Sequence, residues 1–221
     1  MGSPRLVFFG PPGTGKGTQA ARVSKRFGLS SLSSGDALRH EIREGTELGK
    51  SVNDLVQSGS LVPDDAITDV MLSAIQKFPA DQGFLLDGFP RTVPQAEALA
   101  SGLATRGKPL DAALYFRLDS RTIVHRITNR RVCSNCDRTY NLLFVPPATA
   151  DVCDACGHSL VQRVDDSEDV VATRLATYEK LTVPLVEYYS GAGLLHEIDA
   201  DATPDVVEEK VTSVIEGLVG E

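Results

Sequence analysis

The chain has 221 residues, 42% hydrophobic and 24% charged, with a formal net charge of −8. That length suits one sizeable unit with its own core and no need of disulfide staples, and the negative balance excludes duplex nucleic acid and anionic membranes as default partners. Of the 22 basic residues seven are lysine and fifteen arginine, a bias that fits either a salt-bridged surface or a local site for bidentate anion recognition.

The first expected element is a strand at Leu6–Phe9, a short apolar run stopped at once by Gly10-Pro11-Pro12. It is too short for the apolar region of a signal peptide, and Met1-Gly2 lacks the Ser or Thr at position 6 that myristoylation needs. No run approaches the ~18 apolar residues of a membrane span, so a cytoplasmic location is expected. A helix follows over Gly17–Phe27. Ser33 to Val62 reads as short helices around Gly45, Gly49 and Gly59, with too little apolar content to join a sheet. Next come a helix at Asp64–Phe78, a strand at Phe84–Leu86, a helix at Val93–Thr105, a strand at Ala112–Leu118 and a helix at Ser120–Asn129. Arg131 to Gln162 then breaks the alternation as an insert that holds all four cysteines. A strand at Leu194–Ile198 and a helix from Pro204 to about Leu218, capped by Thr203, close the chain. Strands alternating with helices predict a parallel sheet covered on both faces.

Three constellations carry chemistry. Gly10-Pro11-Pro12-Gly13-Thr14-Gly15-Lys16-Gly17-Thr18 lies between the first strand and the first helix. Its glycines let successive N–H groups turn into one anion-sized hollow, the helix start adds a positive dipole end, and Lys16 adds a mobile charge. In the general P-loop the residue after Lys is Ser or Thr; here it is Gly17, with Thr18 one place later. The second constellation is Asp87-Gly88-Phe89-Pro90-Arg91 after a buried strand. Asp87 is placed at the strand's C-terminal end, where a carboxylate can organise Mg²⁺, or serve only as a helix cap. Arg39 and Arg91 can meet one phosphate as bidentate forks, and Gln95 has donors and an acceptor for a base edge. Arg126 and Arg130, at i and i+4, would stack like charges on one helical face and so await an anion or carboxylates. Third, Cys133-x2-Cys136-x16-Cys153-x2-Cys156 has the spacing of two zinc knuckles. Four thiolates leave no open coordination position, so the Zn²⁺ they predict is structural. Two disulfides are the alternative pairing, and His158 is expected at the surface.

With Ser34-Gly35-Asp36-Ala37-Leu38-Arg39, Gly59-Ser60-Leu61-Val62-Pro63-Asp64 and Gly83 to Ala96 added to the P-loop, the chain resembles the adenylate kinases, from Arg5 to about Pro204. The resemblance implies a P-loop NTP hydrolase-like, three-layer α/β fold with a parallel sheet, a helical insert that binds the nucleoside monophosphate, and a zinc-ribbon-like lid. It divides the chain into core (1–32), insert (33–62), core (63–128), lid (129–166) and core (167–221). It implies the reaction ATP + AMP ⇌ 2 ADP with Mg²⁺. Lys16, Asp87, Arg91, Arg130, Arg163 and Arg174 would then serve the transfer itself. Gly13, Thr14, Gly15, Lys16, Gly17, Thr18, Arg126, Arg130, Thr139 and Tyr140 would bind ATP. Ser34, Leu38, Arg39, Ser60, Leu61, Val62, Gly88, Arg91, Gln95, Arg163 and Arg174 would bind AMP. Arg126 would lie against the donor adenine, and Asp165 and Asp166 would orient the lid arginines; as plain residues these two aspartates equally fit a capping box with Glu168. Arg131 either joins the arginines around the transferring group or is a lid salt-bridge residue.

Ser34 replaces the usual Thr, Ala37 a larger apolar residue and Ser60 an often charged one, and none of the three removes a phosphate ligand. A UMP/CMP kinase, a kinase with GTP as donor, and a zinc-ribbon nucleic-acid-binding ATPase are the competing readings. The small-molecule partners expected are ATP, AMP and ADP, with no nucleic acid, no membrane and a monomeric chain.

Overall fold

The computed structural model describes residues 3–79 and 81–220; Met1 and Gly2, and the outer limits set at residues 1 and 221, lie outside them. Around β1 (Arg5–Phe9) a five-stranded sheet assembles with β2 (Ser30–Ser33), β3 (Phe84–Asp87), β4 (Ala112–Arg117) and β8 (Leu195–Asp199), in the order β2-β3-β1-β4-β8. Every pairing is parallel, with Phe8 level with Asp87 on one side and Leu114 on the other. Central strands of such a sheet are buried on both faces, which explains why they read as unbroken apolar runs.

Successive residues of β1 serve opposite layers, as the strand period of two requires. Val7 and Phe9 pack with Leu86, Met71, Leu99 and Tyr189 on one face, under α4 (Asp64–Ile75), α5 (Val93–Ala104) and α8 (Pro184–Gly191). Leu6 and Phe8 pack with Val23, Val211 and Ile215 on the other, under α1 (Lys16–Phe27) and α9 (Pro204–Gly220). The three layers, the parallel sheet and the P-loop between β1 and α1 are those expected.

Three expectations change. Ser30–Ser33, for which no strand was expected, joins the sheet: its four residues pair with β3 at an edge, where half-exposed serines suffice because the backbone ladder holds the strand. The insert is two full helices, α2 (Ser34–Glu44) and α3 (Glu47–Ser58), capped by Gly45 and Gly59 in left-handed conformation. Gly49 breaks neither helix. A Cβ there would stand 2.1 Å from the Glu41 carbonyl oxygen, so it is the point where the two helices cross in contact. Finally, α7 (Glu168–Thr177), a π-helical turn at Tyr178–Thr182 and α8 fill a stretch where the sequence showed no helix.

The cysteine insert is a small antiparallel sheet of β5 (Arg130–Cys133), β6 (Thr139–Asn141) and β7 (Leu160–Val161), in the order β6-β5-β7. It follows α6 (Ser120–Thr128) directly. Because α6 stops at Thr128, Arg126 and Arg130 do not share a helical face, and the expected stack of like charges does not form.

Candidate active site

The C-terminal ends of β1 and β3 bring the P-loop and Asp87 side by side. Gly10 runs so close to β4 that a Cβ would stand 2.4 Å from the Phe116 carbonyl oxygen, and its φ of +139° suits only glycine. Gly15 at the N-cap of α1 supplies no side chain to the first turn, so those N–H groups are left to an anion. Lys16 Nζ folds back over the loop, donating to the carbonyls of Gly10 and Pro11 at 3.0 and 2.7 Å and to Thr14 Oγ1 at 3.1 Å. Burial lowers its pKa to about 8; Asp87 opposes the shift, while Arg91, Arg174 and Arg130 add to it. Burial also raises the Asp87 carboxyl, with Lys16 opposing. A Cβ on residue 17 would meet Asp87 Oδ2 at 3.2 Å, so glycine here lets the carboxylate lie close against the first turn of α1. Asp87 is not a helix cap, since Thr92 caps the next helix and accepts from Gln95 N at 3.3 Å.

Beside the P-loop, an open cleft lies between α2, α3 and the loop after β3. Ser34, Leu38, Arg39, Ser60, Leu61, Val62, Gly88, Arg91, Gln95 and Arg174 all line it. The structure thus brings together the whole expected AMP set except Arg163, which stands 3.9 Å from Asp36 on α2. Arg91 is held from several sides. Its Nε donates to the Gly88 carbonyl at 2.7 Å and its backbone N–H to Gln95 Oε1 at 2.8 Å. Its own carbonyl accepts from Thr182 Oγ1 at 2.8 Å. Burial, then Arg174, lowers its pKa to about 10, and burial and then Arg39 lower that of Arg163 to about 10. Cations that depress one another's pKa form a site that favours polyanions.

Asp165 and Asp166 gather Arg130 and Arg174 and do not cap α7, whose Ser167 N-cap makes no side-chain bond. Asp166, fully buried, takes Arg130 through both oxygens and Arg174 Nη1 at 3.3 Å. Asp165 takes Arg174 Nη1 at 3.0 Å. Insert and lid also approach each other through Arg43 and Asp137 at 3.7 Å. Arg131 donates to the Thr128 and Arg130 carbonyls and meets no carboxylate among the described residues, so the expected salt-bridge role does not hold.

At the lid hinge, Arg126 donates to the carbonyls of Ala200 and Ala202 at 3.1 and 3.5 Å, and its guanidinium lies 5.5 Å from the Phe144 ring. Phe144, 56% exposed, was not among the expected site residues; an exposed aromatic near an expected adenine contact was the available signal. Thr139 is exposed, whereas the Tyr140 ring is buried against the cysteines. Tyr140 Oη accepts from Asp154 N at 2.8 Å and so donates to Cys153 Sγ at 3.4 Å, which lowers that thiol to about 6. The Tyr140 side chain therefore serves the cysteine cluster, and of the pair expected to meet ATP only Thr139 is exposed.

The four Sγ atoms lie within 4.8 Å of one another, with neighbouring pairs at 3.4–3.6 Å. Those separations exclude disulfides, which need about 2.0 Å. They fit the edges of a tetrahedron with Zn–S near ~2.3 Å, so the cluster is compatible with a structural zinc. His158 is exposed, as expected.

The adenylate kinase family model matches residues 8–194. A protein named adenylate kinase from Fervidobacterium nodosum is 42% identical over 96% of this chain and 98% of its own length. One from Archaeoglobus fulgidus is 41% identical over 96% and 98%. Another, from Moorella thermoacetica, is 46% identical over 92% and 94%. Matches of that extent do not favour a zinc-ribbon ATPase or a kinase for another monophosphate. Among the described residues, no helix is long and apolar enough to cross a membrane.

Proposed function

The chain belongs to the adenylate kinase family, whose members transfer a phosphoryl group between ATP and AMP, and from that premise we propose how its residues divide the work. The AMP phosphate oxygen attacks already ionised, its second pKa being ~6, so no general base is needed. What remains is to bring two polyanions into line and keep water out. Lys16 and the P-loop N–H groups hold the ATP phosphates. Arg39 and Arg91 hold the AMP phosphate, and Arg130, Arg163 and Arg174 close on the group in transit. Arg126 and Phe144 flank the donor adenine. The gathering of Lys16, Arg91 and Arg163, each lowered by burial and further by neighbouring arginines, is the observation that carries this reading.

Mg²⁺ bound with ATP neutralises phosphate oxygens. The Asp87 carboxylate, a hard oxygen donor beside Lys16, fits that ion and would hold its waters. The insert at 33–62 and the lid at 129–166 act as the moving parts over a fixed core, in a monomer of the cytoplasm that has no nucleic-acid partner. A bisubstrate inhibitor with two adenosines joined by a phosphate chain should raise the melting midpoint well beyond the sum of saturating AMP and a non-hydrolysable ATP analogue. A shift no larger than that of the ATP analogue alone would sink the two-site reading.

In the lid, the cysteine cluster takes Zn²⁺ as a structural ion that folds a unit too small to bury a core of its own. Chelation under reducing conditions should release about one zinc per chain and lower the melting midpoint by ~5–10 °C, the scale of losing a few kcal/mol at this size. Release of no metal from protein purified without chelator would contradict it.

A further inference from the structure

Asp64 stands at the start of α4, directly after Pro63, where the chain leaves the insert. Both of its oxygens are engaged: Gln95 Nε2 donates to Oδ1 at 2.7 Å and Thr92 Oγ1 to Oδ2 at 2.8 Å. The other end of the Gln95 amide accepts the Arg91 N–H at 2.8 Å. A carboxylate only accepts and a backbone N–H only donates, so these partners fix which way round the amide stands. Turned over, it would set oxygen against carboxylate and NH₂ against N–H, losing both bonds. The pinned amide keeps one hydrogen and one lone pair, and Gln95 lines the cleft although its residue is only 2% exposed.

We propose that Asp64 is a positioning residue that sets acceptor-base specificity through Gln95. Adenine offers a donor at its 6-amino group beside an acceptor at N1. A 6-oxo purine offers the same two places in reverse, with acceptor O6 beside donor N1–H. An amide free to turn serves both orders, while one pinned by Asp64 serves a single order and leaves the other base with donor facing donor. The same carboxylate binds Thr92, the cap of α5, so the base-reading amide and the Arg91 peptide are held by one anchor. The inference rests on the reading that the acceptor base meets Gln95.

The test compares AMP with inosine monophosphate, which carries the reversed edge and no other change in its donor–acceptor pattern, at fixed ATP. Asp64→Asn presents an amide that can itself turn, and Asp64→Ser is too short to reach Gln95; both keep a polar helix-starting residue. In both, the AMP-to-IMP ratio of kcat/KM should fall by about tenfold or more, the scale of one base pairing. The fall should come through the KM of AMP, with the KM of ATP unchanged. Because the ratio does not depend on how much enzyme is folded, instability alone cannot move it. Gln95→Ala, measured in parallel, separates the two layers. If Gln95→Ala keeps the parent ratio, the placement of the base fails and the proposal with it. If Gln95→Ala lowers the ratio while both Asp64 variants keep it, Asp64 has a structural role only and the proposal is overturned.

Discussion

Lys16→Met should lower kcat by at least ~100-fold with nucleotide binding only partly reduced, and Arg91→Met should do the same on the acceptor side. The scale is that of one donor aimed at charge that develops during the transfer, about 2.7 kcal/mol. Lys16 carries the larger consequence because its position depends on acceptors it can leave: the Gly10 and Pro11 carbonyls and Thr14 Oγ1 hold the ammonium in the loop, within reach of a phosphate. Its pKa near 8 also sets a pH signature. In the free enzyme the side chain is charged below about 8 and neutral above, so kcat/KM for ATP should fall as pH rises through that value. Bound phosphates favour the ammonium, so kcat at saturating ATP should hold to higher pH. Lys16→Met should lose the alkaline limb of kcat/KM altogether. A parent profile flat from pH 7 to 9, or near-parent turnover in both variants, would overturn the assignment.

How much of this was readable follows from where each signal resides. The P-loop and the Asp87-Gly88-Phe89-Pro90-Arg91 turn are local: strand, glycines and charged residue fall within ten positions, so the motif and the family resemblance it carries can be read from the sequence. The cysteine cluster was readable for the same reason. β2 was not, because Ser30-Ser31-Leu32-Ser33 has no apolar pattern and exists as a strand only through its ladder with β3. α7 was hidden because Val171 is its one fully buried residue, leaving little helical periodicity to see. The partners that orient the site were invisible for another reason. Thr182 reaches the Arg91 carbonyl from 91 positions away, and the Tyr140 hydroxyl turns to Cys153 and away from the nucleotide side. Local motifs, and the resemblance they carry, name the groups expected to touch substrate, whereas the groups that aim them come from the fold.

Asp166 is where aim and stability meet, and its loss should be the most costly single change outside the hydrophobic core. The carboxylate is fully buried and gathers Arg130 and Arg174, themselves only 17% and 19% exposed. Asp166→Asn leaves two guanidinium groups together with one remaining carboxylate, Asp165, and breaking a buried pair in this way costs about 3–5 kcal/mol. For a chain of this size that is a drop of roughly 10 °C in melting midpoint. Burial by itself would raise the Asp165 carboxyl, but Arg174 and then Arg130 draw it below the ordinary carboxylate range. Its part of the network is therefore present above pH ~4 and lost only as pH falls through that lowered value, so Asp165 offers no relief near neutrality. Nucleotide phosphates do. Saturating ATP and AMP should restore more of the midpoint in Asp166→Asn than they add to the parent, because the anions meet cations that the variant leaves unpaired. Replacing Arg130 by Met in the same chain should recover part of the loss without nucleotide, since the repulsion goes with the charge. A midpoint within ~2 °C of the parent, or equal nucleotide shifts in the two proteins, would mean that Asp166 does not hold the arginines where the transfer needs them.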